Sequence, residues 1–151
     1  MSPRFLPDTS CMIAALCTWH EHHRSAAADL NRRLSRGETL IVAAPALVET
    51  YAVLTRLPSP HRLSGADALA VIDGSFMSSQ RVVALRARTY ATLLRQATED
   101  QIRGGQVYDA VIARCGLLAK VSTLLTFNPV HFNWLSDRGI RVIVPGNVAT
   151  D

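Results

Sequence analysis

Residues 107–132, VYDAVIARCGLLAKVSTLLTFNPVHF, decide the fold of this chain. The first half of this stretch is apolar on nearly every side, which predicts a buried helix with Asp109 in its first turn. Residues 122–125 then predict a short buried strand, and residues 126–129 end it with polar turn residues. A carboxylate is costly to bury unless something pairs with it, so Asp109 is the first candidate functional residue.

The rest of the chain repeats this pattern of short apolar strands and helices. Further strands are predicted at residues 5–6, 40–43, 81–85 and 141–144. Helices are predicted at about 9–17 (capped by Thr9 or Ser10), 25–36, 45–56, 64–75 and 86–99, with a short one at 131–137. The third, fourth and fifth helices are expected to bury Leu47, Tyr51 and Leu54; Leu69, Ile72 and Phe76; and Ala87, Tyr90, Leu94 and Ala97. The alternation predicts an α/β fold, with a parallel sheet of about five short strands and helices on both faces.

The composition is that of an ordinary globular protein. The chain has 151 residues, of which 48% are apolar and 19% charged, so we expect a single domain over residues 1–151 with its core at about 4–146. We expect no signal peptide, because the first residues contain no apolar h-region. We also expect no contact with a membrane, because the apolar run at residues 11–19 is too short to span a bilayer. Cys11, Cys17 and Cys115 lack paired spacing, which favours free thiols in the core of a cytoplasmic protein.

The charge balance is basic. There are 16 basic and 12 acidic residues, for a net charge of +4, and Lys120 is the only lysine among the basic residues. Arginine forms bidentate contacts with phosphate, so this bias is compatible with a nucleic-acid partner. A GC-rich genome produces the same bias, and the composition alone therefore remains a hint.

Four oxygen-bearing side chains lie near the ends of the predicted strands. Asp8 follows the first strand, Glu49 lies about one helical turn beyond the second, and Asn128 follows the fourth. Asp109 begins the helix that leads into that fourth strand. Because ligands bind beyond the carboxyl ends of parallel strands, we expect these side chains to converge at one edge of the sheet.

Three converging carboxylates without a counter-charge repel one another and raise their own pKa values. Mg²⁺ removes this problem, since it prefers oxygen ligands, keeps several waters and also binds a substrate phosphate; Mn²⁺ fits the same ligands. Such an ion polarises a phosphodiester, activates water and stabilises the leaving oxygen. The alternative for each acid is that it only caps a helix.

Other features are weaker. Residues 19–23, WHEHH, have the composition of a metal site, yet their position between two helices favours a solvated helix start. Arg56 lies seven residues after Glu49, about 10 Å further along the same helix face. There it either pairs with a neighbouring side chain or reaches a substrate phosphate.

Together these residues resemble the PIN-domain family and, within it, the VapC-type toxin ribonucleases of bacterial toxin–antitoxin pairs. The resemblance covers nearly the whole chain and rests on four motifs in order. They are Asp8-Thr9-Ser10, LVETY around Glu49, VYDAVIA around Asp109, and LLTFN ending at Asn128 and followed by His131-Phe132. The family often has Asp at the positions of Asn128 and His131, so this chain carries less negative charge there.

The resemblance implies a Mg²⁺-dependent endoribonuclease that cuts single-stranded regions of structured RNA, of the tRNA or rRNA class. It also implies a homodimer and a cognate VapB-type antitoxin that masks the acidic pocket. Without the three acids the net charge of +4 becomes +7, a surface that attracts an RNA backbone. The expected metal ligands are Asp8, Glu49 and Asp109; Asn128 joins them as a catalytic residue; and Ser10, Arg56, Thr126 and His131 are expected to contact substrate.

Two alternatives remain open. The first is a catalytically silent PIN-like module that binds RNA or a protein, although such a module has no need of three buried acids. The second is another phosphate enzyme on a doubly wound fold, such as a phosphatase. An aspartyl-phosphate enzyme of the haloacid type would carry a second Asp two positions after Asp8, where Ser10 stands.

Overall fold

The computed structural model describes residues 2–77 and 81–147 of the chain. The end of the predicted domain, residues 148–151, lies outside the described residues. The strands are β1 (Arg4–Pro7), β2 (Thr39–Ala43), β3 (Arg81–Val83), β4 (Thr123–Leu125) and β5 (Arg141–Ile143).

The helices occupy the connections between these strands. They are α1 (Thr9–Leu16), α2 (His23–Ser35), α3 (Ala44–Arg56), α4 (Gly65–Ile72), α5 (Ala87–Glu99) and α6 (Gln106–Leu118). A π-helical turn, Asp73–Met77, extends α4, and two 3₁₀ turns, Pro129–His131 and Asn133–Arg138, lie between β4 and β5. Within the described residues, no helix combines the length and the apolar character needed to cross a membrane.

All five strands are parallel and form one sheet in the order β3-β2-β1-β4-β5, which confirms the predicted α/β fold. β1 is central, because Phe5 pairs with Leu40 of β2 on one side and with Thr123 of β4 on the other. The chain winds from β1 through β2 to β3 and then returns to the far side of β1. Since crossovers are right-handed, this reversal places helices on both faces of the sheet. It also creates a switch point between β1 and β4, which is where doubly wound sheets bind ligands.

The core lies at the middle of the sheet, where strands have neighbours on both edges and helices on both faces. Phe5, Leu6, Ile41, Leu124 and Leu125 are all completely buried. Burying one such side chain contributes about 1.5–3 kcal/mol to the stability of the fold. The three inner strands therefore hold the switch point rigidly. As predicted, the free cysteines are also buried: Cys11, Cys17 and Cys115.

The hydrophobic stripes predicted for α3, α4 and α5 were partly wrong. A shift of one residue rotates a helix face by about 100°. The prediction followed the largest apolar side chains, whereas close packing also uses small residues such as Ala46 and Ala68. Exposed residues that had been expected in the core are Tyr51, Leu69, Ala87, Tyr90 and Leu94, and their neighbours Thr50, Ala68 and Leu93 are buried instead.

Candidate active site

Asp8 lies at the carboxyl end of the central strand, at the switch point. Its backbone N–H donates to the carbonyl of Leu125, at the end of β4, over 2.9 Å. Its carboxylate accepts the backbone N–H of Cys11 over 2.9 Å and thereby caps α1. The predicted caps, Thr9 and Ser10, were therefore wrong, because the extended backbone of Asp8 already places its side chain over the first turn.

Two hydroxyl groups complete the hydrogen bonding of the Asp8 carboxylate. Ser10 Oγ donates to Oδ1 over 2.7 Å, and Thr126 Oγ1 donates to Oδ2 over 2.6 Å. Each hydroxyl in turn accepts a backbone N–H from the segment after β4, Ser10 from Phe127 at 3.0 Å and Thr126 from Asn128 at 2.9 Å. These bonds fix the carboxylate between the ends of two neighbouring strands.

The surroundings of Asp8 disfavour its charged form. Burial raises the pKa of Asp8 from 3.8 to about 6, the hydrogen bonds from Thr126, Ser10 and Cys11 oppose this rise, and the negative charge of Asp109 adds to it. Asp8 is 1% exposed. A buried acid with a nearby second acid is a typical feature of a functional site.

Asp29, the other buried carboxylate of the described residues, is held differently. It accepts from Arg33 Nε at 2.6 Å and from Arg32 Nη2 at 3.1 Å, so two cations balance its charge. The donors to Asp8 are two hydroxyls and one backbone N–H, all of them neutral. Asp29 is therefore a structural acid, whereas the charge of Asp8 is left uncompensated.

Glu49 reaches the same region from α3. Its Oε2 accepts a hydrogen bond from Thr9 Oγ1 over 3.0 Å, which places Glu49 against the first turn of α1, one residue from Asp8. The neighbouring Thr50 is fully buried, and its Oγ1 has no hydrogen-bond partner within the described residues. Glu49 is thus oriented by a neutral donor, as Asp8 is.

Asp109 lies in the first turn of α6, as predicted. Its Oδ2 is 2.5 Å from Nδ1 of His131, which belongs to the 3₁₀ turn after Asn128. The Asp109 side chain is 18% exposed and that of His131 is 37% exposed, so the pair faces an opening to solvent. His131, expected from the sequence to contact substrate, lies against Asp109 and orients it.

Asn128 and Arg56 are both exposed. Asn128 lies at the tip after β4 and, together with Ser10, lines a groove of about 370 Å³. Arg56 lies in the last turn of α3. The structure therefore brings Asp8, Ser10, Thr126 and Asn128 together through direct bonds, and leaves Arg56 on the exposed surface.

The oxygen atoms at this edge of the sheet belong to carboxylate and hydroxyl groups, which are suitable ligands for a hard divalent cation. Over residues 2–77 and 81–147, however, no three His, Cys, Asp or Glu side chains are arranged to hold a metal ion directly. The ligand set expected from the sequence, Asp8 and Asp109 with Glu49, therefore stays a prediction. Mg²⁺ commonly takes only one or two carboxylates and completes its shell with water. Asp8 and Asp109, whose charges interact, fit that smaller set.

Sequence reasoning missed three residues around this site. Thr9 holds Glu49, and Phe127 donates its N–H to Ser10. The Phe127 ring also stacks on His22, with centroids 4.4 Å apart and planes inclined by 10°. Thr9 and Phe127 lie inside the motifs quoted above, and His22 belongs to the WHEHH segment. Their positions within these segments, and not their residue types, are the signal by which they could have been found.

Replacing Asp8 with Asn should stabilise the metal-free protein at neutral pH. Because the pKa of Asp8 is raised in the folded state, protonated Asp8 stabilises the fold. This contribution to the free energy of unfolding is fully present below about pH 4 and is lost as the pH rises through about 6. Asn keeps the cap and cannot ionise. We expect the free energy of unfolding of Asp8→Asn to exceed that of the wild type by about 1–3 kcal/mol at pH 7.5, with a smaller difference at pH 4.5.

Urea unfolding in a chelator at both pH values measures this difference. Asp67→Asn, which changes an exposed acid in the first turn of α4, is the control and should show no such pH dependence. A gain for Asp8→Asn of equal size at both pH values would contradict the assignment.

Known proteins resemble this chain in sequence and in fold. The family model described as PIN domain matches residues 5–133. Ribonuclease VapC40 of Mycobacterium tuberculosis (strain CDC 1551 / Oshkosh) is 41% identical over 116 residues, which cover 77% of this chain and 78% of the relative.

Two solved structures share the fold. The Mycobacterium tuberculosis toxin VapC20, described as cleaving the sarcin-ricin loop, superposes with a TM-score of 0.68 at 17% identity and covers 93% of this chain and 99% of its own. DNA-bound VapBC from Salmonella typhimurium gives a TM-score of 0.64 at 22% identity and covers 95% and 98%. With a matching family model over most of its length and a relative at 41% identity, this chain belongs to the PIN-domain family and, within it, to the VapC-type proteins.

Proposed function

We propose that this protein is a metal-dependent endoribonuclease and the toxin of a toxin–antitoxin pair, cutting single-stranded regions of structured RNA of the tRNA or rRNA class. The observation that carries the proposal is Asp8, a buried carboxylate with a raised pKa beside Asp109 and with only neutral donors. A purely structural acid would be paired as Asp29 is. The reaction class is supported by the relative VapC40, which is named a ribonuclease.

Mg²⁺, with Mn²⁺ as a substitute, is the proposed cofactor. A divalent ion supplies positive charge to the scissile phosphate and lowers the pKa of bound water. Asp8 and Asp109 would hold it, and Glu49 would contact its water shell, because Thr9 already occupies one Glu49 oxygen. PIN-domain ribonucleases generally use divalent metals, which supports this choice.

The remaining polar residues position these groups. Ser10 and Thr126 fix the two oxygens of Asp8, and their hydroxyls are already engaged there, so substrate contact is at most a second role. His131 orients Asp109. Asn128 is exposed beside Ser10, where its amide oxygen would accept a hydrogen bond from the attacking water.

A basic groove supports RNA as the substrate. The groove has a volume of about 440 Å³ and lies between the start of α5 and the end of α6. Its charged lining residues are four arginines, Arg86, Arg88, Arg114 and Arg138. Guanidinium groups bind the phosphate backbone without reading sequence, which suits attraction of a long polyanion towards an acidic site. Arg56 is a further exposed candidate for such contact.

Exposed apolar residues support the proposed protein partners. On α3 and α4, Val48 is 71% exposed and Leu69 is 52% exposed, and this surface is proposed to bind a VapB-type antitoxin. On α5, Leu94 is 57% exposed, and it is proposed to contribute to a homodimer. The VapBC assembly among the related folds supports an antitoxin partner.

We also propose that residues 1–151 form a single PIN domain, with a core at about 4–146, that acts in the cytoplasm. The single continuous sheet supports one domain. The three buried free cysteines support a reducing compartment.

The metal proposal predicts that Asp109→Asn weakens binding of Mg²⁺ or Mn²⁺ by about tenfold or more, because a ligand loses its charge. Isothermal titration of the chelator-treated protein measures this affinity. The control, Asp67→Asn, removes an exposed acid from α4 and should bind as wild type does. Equal affinity in all three proteins would exclude Asp109 as a ligand.

The toxin proposal predicts that expression of the wild type alone arrests bacterial growth and that Asp8→Asn does not. Asn preserves the cap of α1, so the variant should remain folded while losing the carboxylate. Growth after induction is the measurement, with protein levels compared by immunoblot. Arrest by a folded Asp8→Asn variant would show that the toxicity does not depend on this site.

The role of Asn128 predicts different effects for two substitutions. Asn128→Asp should retain cleavage and bind Mg²⁺ modestly more tightly, because it adds a negative charge. Asn128→Ala should slow cleavage by about twofold to tenfold, the effect of losing one neutral hydrogen bond. Cleavage rates of one RNA across a Mg²⁺ titration compare the three proteins, and equal rates for wild type and Asn128→Ala would make Asn128 only a turn residue.

A further inference from the structure

A row of aromatic side chains leads to the candidate active site. His61 and Trp19 stack with centroids 4.1 Å apart, and Trp19 lies 5.9 Å from His20. His20 lies 5.7 Å from His22, which stacks on Phe127 at 4.4 Å. We call these five rings the aromatic row: His61, Trp19, His20, His22 and Phe127.

The middle of the aromatic row is held rigidly by local hydrogen bonds. The connection between α1 and α2 forms successive turns, in which His20 N–H donates to Cys17 and His23 N–H donates to His20, each over 3.0 Å. The His22 N–H donates to Nδ1 of His20 over 3.0 Å, and Nδ1 of His23 lies 2.9 Å from the carbonyl of Ala14. Because these bonds fix the backbone, a ligand would meet rings that are already in place, at little cost in entropy.

The row remains accessible although its members contact one another. Trp19 is 47% exposed, the His22 side chain is 45% exposed, and His61 is exposed. His20, His22 and Phe127 also line the groove of about 370 Å³ that contains Ser10 and Asn128. The aromatic row therefore opens into the same groove as two residues of the candidate site.

Phe127 joins the row to the acidic site by a direct chain of bonds. Its backbone N–H donates to Ser10 Oγ over 3.0 Å, and Ser10 donates to Asp8 over 2.7 Å. A ligand stacked on the His22–Phe127 pair would therefore lie beside Ser10, whose hydroxyl holds the carboxylate proposed to bind the metal.

The chemistry of the groove favours a nucleobase over a phosphate group. Its charged lining residue is Glu21, which repels phosphate but can accept a hydrogen bond from a base. Base–aromatic stacking tolerates any sequence, since every base has a π-face, and it requires bases that are not already paired in a duplex.

We propose that the aromatic row is a stacking track that binds unpaired bases of single-stranded RNA and guides the strand to the site at Asp8. This inference rests on the proposed ribonuclease function for its biological meaning. The occupant is RNA, and the four-arginine groove would bind backbone elsewhere on the surface.

Binding of oligouridylates that each carry one 2-aminopurine tests the track without any cleavage, because the measurement is made in a chelator. Stacking quenches 2-aminopurine fluorescence. His22→Ala should weaken RNA binding about tenfold and abolish most of the quenching, whereas His22→Phe, which keeps a ring, should restore both. Tyr90→Ala removes an exposed ring from α5, outside the row, and should behave as wild type does.

The salt dependence separates stacking from backbone attraction. The loss caused by His22→Ala should persist at high salt, because stacking depends on salt much less than phosphate contacts do. Binding and quenching by His22→Ala equal to wild type would overturn the track and leave the row to packing within the chain or to a protein partner. Mg²⁺-dependent cleavage by the wild type is measured separately, so absence of cleavage with intact quenching would overturn the nuclease proposal alone.

Discussion

The hydrogen bond from Thr126 to Asp8 is the contact on which the rest of the site depends. It spans 2.6 Å between the ends of β4 and β1, the two strands that flank the switch point. The same threonine accepts the N–H of Asn128, so one hydroxyl fixes a carboxylate and also the tip of the following turn. Leu6 of β1 and Leu125 of β4, which lie next to this contact, are completely buried, and rigid packing therefore sets the position of Asp8.

The hydrogen-bond donors to Asp8 are the hydroxyls of Ser10 and Thr126 and the N–H of Cys11, and their neutral character has an energetic consequence. An arginine beside Asp8 would stabilise its charge, as Arg32 and Arg33 do for Asp29, but it would also occupy the place proposed for a divalent cation. Hydroxyl and backbone donors orient the oxygens without supplying a positive charge. The fold thus tolerates an acid whose charged form is disfavoured by burial and by Asp109, and this local cost is offset by the apolar core around it.

The sequence was sufficient to predict the order of elements, the parallel sheet and the placement of Asp8 and Asp109, because strand and helix periodicities differ and polar residues mark strand ends. It was insufficient to predict which face of a helix is buried, since an offset of one residue replaces Tyr51 with Thr50 in the core while the helical period of apolar residues stays the same. It also missed the bonds of Thr9 and His131, which join segments far apart in the chain: 40 residues separate Thr9 from Glu49, and 22 separate His131 from Asp109. Such pairings depend on topology, which periodicity alone does not specify.

Separate parts of the surface contribute separate properties to the proposed activity. The four arginines around α5 and α6 attract any polyanion, and attraction of this kind does not distinguish a duplex from a single strand. The aromatic row can discriminate, because only unpaired bases present free faces to Trp19 and His22. In the proposed activity the carboxylates act last, at the end of the row. Selection of single strands can therefore precede the chemistry, and a mutation in the row can alter substrate choice while the hydrogen bonds of Asp8 remain intact.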